Sequence, residues 1–194
     1  MRPTLAASLA GLLLLLLLVP GQSSGRMTAT VQMTVDAKAN IFGAGQSALP
    51  AAGGGAGVAP PSYSFTAQTG RTLTFTSVTG KVTCCGELTS PPYHGPAGGT
   101  TLGSTDIPPV RGISGVGADR TMFVVGVFLG PGTPTSKPPP TNTMTRSPKL
   151  RQVFYVGDGR GGPINVPAKA TRLYLGFADA YGFRGPAGWY DDNR

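Results

Sequence analysis

Histidine and cysteine are scarce in this chain, with one His and two Cys among 194 residues. Three such side chains cannot complete a four-ligand zinc site on their own, and multi-cluster metal chemistry is excluded. Charge is thin as well: 12% of residues are Asp, Glu, Lys or Arg, too few for a solvated disordered chain. Past the N-terminus, every long stretch is interrupted by Gly, Pro or clustered β-branched residues, which excludes a long-helix protein. What abounds is Gly and Pro, 30 and 19 residues, close to the level at which unpatterned Gly and Pro mark low complexity. A hydrophobic fraction of 40% is still enough for one core, so a single globular domain is expected.

The N-terminus has three parts: Arg2, then the apolar run Ala6 to Val19 with leucine at every position from 12 to 18, then small and polar residues from Pro20 to Gly25. That is the layout of a secretory signal, and the run is shorter than the roughly 20 residues that span a bilayer as a helix. Residues 1–25 are therefore expected to be a cleaved signal peptide. Residues 26–194 are expected to be exported to a secreted, periplasmic or extracellular location. The net charge of +8 is spread along the chain, its densest group being Arg146, Lys149 and Arg151. Such scattering favours solubility or attraction to anionic envelope polymers over nucleic-acid binding.

Several segments alternate with period two, the mark of a half-buried strand. Thr28 to Ala37 places Val31, Met33 and Val35 on one face, and Arg71 to Val78 does the same with Leu73 and Phe75. Met122 to Leu129 and Gln152 to Val156 are nearly continuous apolar runs, suited to central strands covered on both faces, and Arg172 to Phe177 alternates again. Short strands ending in Gly and Pro turns predict an all-β sandwich or barrel. Residues 44–61, rich in Ala, Gly and Pro, and residues 130–145, holding Pro131, Pro134 and Pro138 to Pro140, are expected to be loop insertions.

Motifs with chemical potential are few. Gly157 to Gly162 fits G-x-G-x-x-G after an apolar strand, but Pro163 and the strand-like Ile164-Asn165-Val166 follow in place of a helix, so the segment is read as a turn. Ser114 in Gly112-Ile113-Ser114-Gly115-Val116 lacks the second glycine of a nucleophile elbow, and its triad would have to recruit His94, the lone histidine. Cys84 and Cys85 are neighbours, so a vicinal disulfide and a pair of reduced thiols both remain open. Of eight acidic residues, Asp179, Asp191 and Asp192 lie within the last 16, with Asn193 beside them and Tyr181, Phe183, Trp189 and Tyr190 among them. Hard oxygen ligands on a Gly/Pro-rich loop suit Ca²⁺, and aromatic rings beside them suit a sugar.

Asn40-Ile41-Phe42-Gly43, Gly112-Ile113-Ser114-Gly115, Val125 to Gly130, Gln152 to Gly159, Thr171 to Ala180 and Trp189 to Asn193 together resemble exported bacterial proteins related to the galactophilic lectin of pseudomonads, the PA-IL type, over roughly residues 28 to 194. The resemblance implies a small jelly-roll-like β-sandwich whose edge holds one Ca²⁺, with the vicinal hydroxyls of a galactose-like glycan completing the coordination and no catalysis. It implies Asp179 as bidentate ligand and hydroxyl acceptor, Asp192 and Asn193 as side-chain ligands, and the backbone carbonyls of Trp189 and Cys84 as further ligands. Asp179, Ala180, Trp189 and Asp192 would then face the sugar. The resembled lectins carry a shorter loop between the bidentate Asp and the next carbonyl ligand, and a last strand after the Asp-Asn pair; this chain is expected to have the longer loop, Tyr181 to Gly188, and to lack that strand. A homo-oligomer is compatible with such an edge. The alternative expectation is a structural or envelope-associated sandwich in which calcium only stabilises loops.

Overall fold

The computed structural model describes residues 30–85 and 93–194. The expected signal peptide lies outside the described residues. The chain divides into a first unit, Met1–Gln32, of which only residues 30–32 are described and carry no regular structure, and a second, Met33–Arg194, to which all that follows refers.

The fold is all β, built from strands of two to five residues: β1 (Ser62–Ser64), β2 (Thr72–Leu73), β3 (Thr105–Ile107), β4 (Val116–Ala118), β5 (Val125–Leu129), β6 (Val153–Tyr155), β7 (Ile164–Asn165) and β8 (Arg172–Gly176). The main sheet has the order β1-β8-β5-β6, and β2 pairs with β7 and β3 with β4, every pairing antiparallel. The β5 and β8 strands run side by side over their full five residues, from Val125 opposite Gly176 to Leu129 opposite Arg172. Among the described residues no helix is long and apolar enough to cross a membrane.

The apolar runs in β5 and β6 are explained by cover on both faces of this sheet. Val125, Val127 and Leu129 of β5 and Val153 of β6 enter one core cluster, with Ile41, Phe42, Ile107, Ile113 and Val116. The alternate residues Phe128, Phe154, Leu173 and Leu175 enter the other, with Val82, Cys84, Ile164 and Phe177. Layers of short strands and loops thus flank a central sheet, a sandwich-like arrangement. Gly126 lies between Phe154 and Leu175 in the ladder. A methyl group on it would sit 2.6 Å from the Phe154 ring, which stacks on Phe128 with centroids 5.0 Å apart.

Two expected strands are corrected. Residues 33–36 form no ladder; Met33, Val35 and Ala37 nevertheless pack, partly buried, on the second cluster, while Val31, expected on the same face, is exposed. The period-two pattern there reports which side faces the core rather than pairing with a neighbour. Within Arg71 to Val78 only Thr72–Leu73 pair, opposite Ile164–Asn165, while Phe75 and Val78 still pack on the same cluster. The strands β1, β3 and β4 went unread because Ser62–Ser64 is exposed throughout and β3 and β4 are three residues each, too short to establish a period.

Residues 44–61 hold no strand and form a loop tied to the core. Buried Asn40 caps the 3-10 turn Ile41–Gly43, its Oδ1 accepting from the Phe42 N–H, while its Nδ2 donates to the carbonyls of Pro50 and Ala56 at 2.8 and 3.1 Å. One side chain therefore supplies the backbone partners that a loop without regular structure lacks. Residues 130–145 hold no strand and are fastened by arginines: Arg172 donates to the carbonyls of Gly130 and Gly132, and Arg151 to those of Ser136 and Lys137.

Gly126→Ala is expected to destabilise the protein by roughly 1–3 kcal/mol, because the added methyl must displace the Phe154 ring in a close-packed core. Urea denaturation measures this, and an unchanged midpoint would contradict it.

Candidate functional site

The main sheet delivers the C-terminal segment to its site. β8 ends at Gly176, and Phe177 continues by exchanging backbone hydrogen bonds with Ala39 and Ile41, donating to the first at 2.8 Å and accepting from the second at 3.1 Å. The hydroxyl of fully buried Tyr190 accepts from the Asp179 N–H at 3.1 Å and donates to the Phe177 carbonyl at 3.2 Å. The longer loop is a closed excursion: Tyr181–Phe183 makes a 3-10 turn, Ala180 bridges Ala187, and the Gly188 N–H returns to the Asp179 carbonyl at 3.0 Å. Trp189 is thereby brought back beside Asp179 in spite of the extra residues.

The far side of this segment rests on residues 52–57. Trp189, Tyr190 and Asp191 donate their N–H groups to the carbonyls of Gly53, Gly55 and Gly54, and the Asp191 carboxylate accepts from the Gly57 N–H. A Cβ on Gly54 would lie 2.3 Å from the Trp189 indole, and Gly54 has φ 59°. Only glycine combines that backbone with that contact. The sequence shows the Gly53-Gly54-Gly55 run but gives no sign that it seats the tryptophan.

Cys84, Cys85, Asp179, Ala180, Trp189 and Asp192 line one pocket of about 150 Å³, with Tyr181, Gly182 and Phe183. Five positions expected to form the site thus share one concavity: Asp179, Ala180, Trp189, Asp192 and Cys84. Asn193, the sixth, adjoins it; it is 1% exposed, and its side chain eases the burial of the Asp179 carboxyl. Arg194 exchanges two backbone hydrogen bonds with Thr83, at 2.7 and 2.9 Å, and so sets Asn193 alongside the Cys84 segment. The rings of Tyr181 and Trp189 lie 5.0 Å apart at 51°. Cys84 and Cys85 are joined in a vicinal disulfide.

Asp179 is 2% exposed. Its Oδ1 accepts from the Ala180 N–H at 2.7 Å, whereas its Oδ2 has no hydrogen-bond partner among the described residues; the Asn193 Oδ1 is likewise buried and without one there, although Asn193 Nδ2 donates to the Ala37 carbonyl. Burial pushes the Asp179 carboxyl up to about 8, against the Asn193 side chain and the Ala180 N–H, and the charge of Asp192 adds to the rise. Asp192 is raised too, chiefly by burial, with Lys38 opposing. Among the described residues, no three His, Cys, Asp or Glu come together to hold a metal. A cation here would depend on two carboxylates, an amide oxygen and carbonyls. The Cys84 carbonyl accepts from the Thr83 hydroxyl at 3.2 Å, which still leaves it a lone pair.

The other candidates have structural partners. Ser114 is fully buried, its hydroxyl accepting from the Val153 N–H at 2.9 Å and lying 3.1 Å from the Gly115 carbonyl. His94 pairs through its backbone with Val82 and lines no part of this pocket. Gly157 to Gly162 is a turn into β7, closed by an Asp158–Arg160 ion pair at 3.5 Å. What sequence reasoning missed is the Tyr190 hydroxyl, whose role shows only once the chain is folded back on itself.

A carboxyl whose folded pKa lies above its unfolded one favours the fold at low pH and loses that advantage as pH rises. In chelator, stability should therefore fall between about pH 4 and about pH 8, at up to roughly 1.4 kcal/mol per pH unit. Asp179→Asn, which mimics the neutral acid, should flatten the profile. Identical profiles for the two proteins by urea denaturation would contradict the burial argument.

No family model, curated protein or solved structure matches the chain.

Proposed function

We propose that this pocket binds Ca²⁺ through Asp179, Asp192 and Asn193, with the carbonyls of Trp189 and Cys84, and that the bound ion presents open positions to the hydroxyls of a galactose-like carbohydrate on an exported, non-catalytic protein. The observation that carries the reading is the pair of buried oxygens without partners, Asp179 Oδ2 and Asn193 Oδ1, at a pocket bordered by aromatic rings. A buried acceptor left unpaired costs about 1–3 kcal/mol. A hard cation that takes six to eight oxygen ligands satisfies both at once. It also supplies the charge that lets the Asp179 carboxyl ionise in a place where burial opposes it. Two sugar hydroxyls can replace water on such an ion and donate to the neighbouring carboxylates, while Trp189 and Tyr181 offer faces for the C–H side of the ring.

The chain's own residues divide the work. Tyr190 and the Gly53–Gly55 run hold Asp179 and Trp189 in place, and Asp179, Asp192 and Asn193 would hold the ion. In the second reading, calcium only stabilises loops of a structural or envelope-associated domain. It is favoured by the way Asn193 and Asp179 stand at the two ends of one folded-back segment, which an ion would cross-link.

Millimolar Ca²⁺ should raise the midpoint of thermal unfolding by mass action, and Asp179→Asn should abolish the shift. Calorimetry with methyl galactoside should give a Kd of about 0.1 mM, as expected for so few ligand atoms. Binding should vanish in chelator and persist in Ser114→Ala and His94→Ala. A calcium shift with no response to any hexoside would select the structural reading. Equal melting curves with and without Ca²⁺ would dismiss both.

A further inference from the structure

A disulfide between neighbours does little of what disulfides ordinarily do. Their stabilisation grows with the length of chain they close, and the Cys84–Cys85 bridge, at sequence separation 1, closes none. Its value must therefore be local. Cys84 is buried in the second core cluster while Cys85 is exposed, and both line the Asp179 pocket. The sulfur pair thus spans from core to surface along one wall. Oxidised, it offers no hydrogen-bond donor, only a polarisable apolar surface; reduced, it would offer two S–H groups.

The backbone around the pocket points the same way. Six non-glycine residues among those described have positive φ: Cys85, Arg111, Met122, Arg151, Phe183 and Trp189. Three of them, Cys85 at 68°, Phe183 at 62° and Trp189 at 68°, line this one pocket. Side chains rarely adopt that conformation, and where they do, the surroundings hold them there; such positions gather at ligand sites. The disulfide ring, an edge of the Phe183 turn and the Trp189 indole are therefore all set by unusual backbone around one cavity. Asp179, 2% exposed and with an Oδ2 that has no partner among the described residues, supplies a polar group to the same lining.

We propose that the Cys84–Cys85 disulfide is a ligand-contacting wall of the pocket, against which the apolar C–H face of a pyranose ring packs while its hydroxyl edge meets the Asp179 end. The inference rests on the carbohydrate reading and adds to it the class of contact: a saccharide with one continuous C–H face, recognised only by the oxidised protein. The sulfurs act by contact alone and undergo no reaction when the ligand binds.

The test uses the full oxidised chain, calorimetry with Ca²⁺ alone, and then methyl galactoside at saturating Ca²⁺. In Cys85→Gly, glycine keeps the left-handed backbone without steric penalty and the bridge with its exposed sulfur is gone, while Cys84, whose carbonyl is a proposed Ca²⁺ ligand, is untouched. Its Ca²⁺ affinity should stay within about threefold of the parent protein, and its galactoside affinity should drop by about tenfold or more. Reduction of the parent protein with a water-soluble phosphine, with folding followed by near-ultraviolet circular dichroism, should produce the same selective loss, and reoxidation should restore binding. This second arm decides the matter if the variant does not fold. Equal galactoside binding by oxidised and bridge-free or reduced proteins would overturn the contact and leave the carbohydrate reading intact. An oxidised protein that binds Ca²⁺ but no pyranoside would overturn both.

Discussion

The pairing of β5 with β8 is the constraint on which everything else hangs. Five residues face five across one antiparallel ladder, and their alternate side chains divide between two core clusters, so both faces of a narrow sheet must be covered. With strands this short, most of the cover comes from loops. Loops bring backbone groups into the interior that no ladder satisfies, which explains why so many side chains here donate to carbonyls. Asn40 binds residues 50 and 56, Arg172 and Arg151 fasten the proline-rich segment, and Tyr190 closes the turn beyond β8.

The site is a by-product of the same economy of form. β8 ends against residues 39–41, and the chain beyond it is folded back until Trp189 and Asn193 lie beside Asp179 and the Cys84 segment. Among the described residues, three buried side-chain nitrogens and oxygens have no hydrogen-bond partner: Asp179 Oδ2 and Asn193 Oδ1 here, and His94 Nε2 away from the pocket. In a fold so thoroughly tied by side-chain hydrogen bonds, two orphaned oxygens at one pocket are informative, because buried acceptors are otherwise satisfied almost without exception. The proposed ion would complete an arrangement whose other members are already in place.

How much of this was legible in the sequence depended on how local the signal was. The apolar runs at 122–129 and 152–156 and the alternation at 172–177 identified β5, β6 and β8, since double-sided burial and pleat leave their mark on adjacent residues. Clustering of Asp179, Asp191, Asp192 and Asn193 pointed to the candidate site because its polar side chains come from one short segment, although Asp191 turns away to accept from the Gly57 N–H. Strands of two or three residues left no period. At 33–37 alternation survives where no partner strand exists among the described residues, because packing on a core needs only the pleat, whereas Val31 of the same expected face is exposed. The support for the site was illegible for a different reason: Gly54 beneath Trp189, Cys85 on the pocket wall and the Tyr190 hydroxyl on Phe177 act across distances in sequence that only the folded chain closes.

Trp189 is the chain's single tryptophan and lines the pocket at which the ion is proposed to bind. That makes Tb³⁺, a luminescent stand-in for Ca²⁺, the most direct probe of the central claim. Excitation of Trp189 should sensitise Tb³⁺ emission in the protein, Ca²⁺ should quench it by competition, and both Asp179→Asn and Trp189→Phe should remove it. Emission that is absent from the parent protein, or that persists unchanged in Asp179→Asn, would contradict a cation site at Asp179 and Asn193.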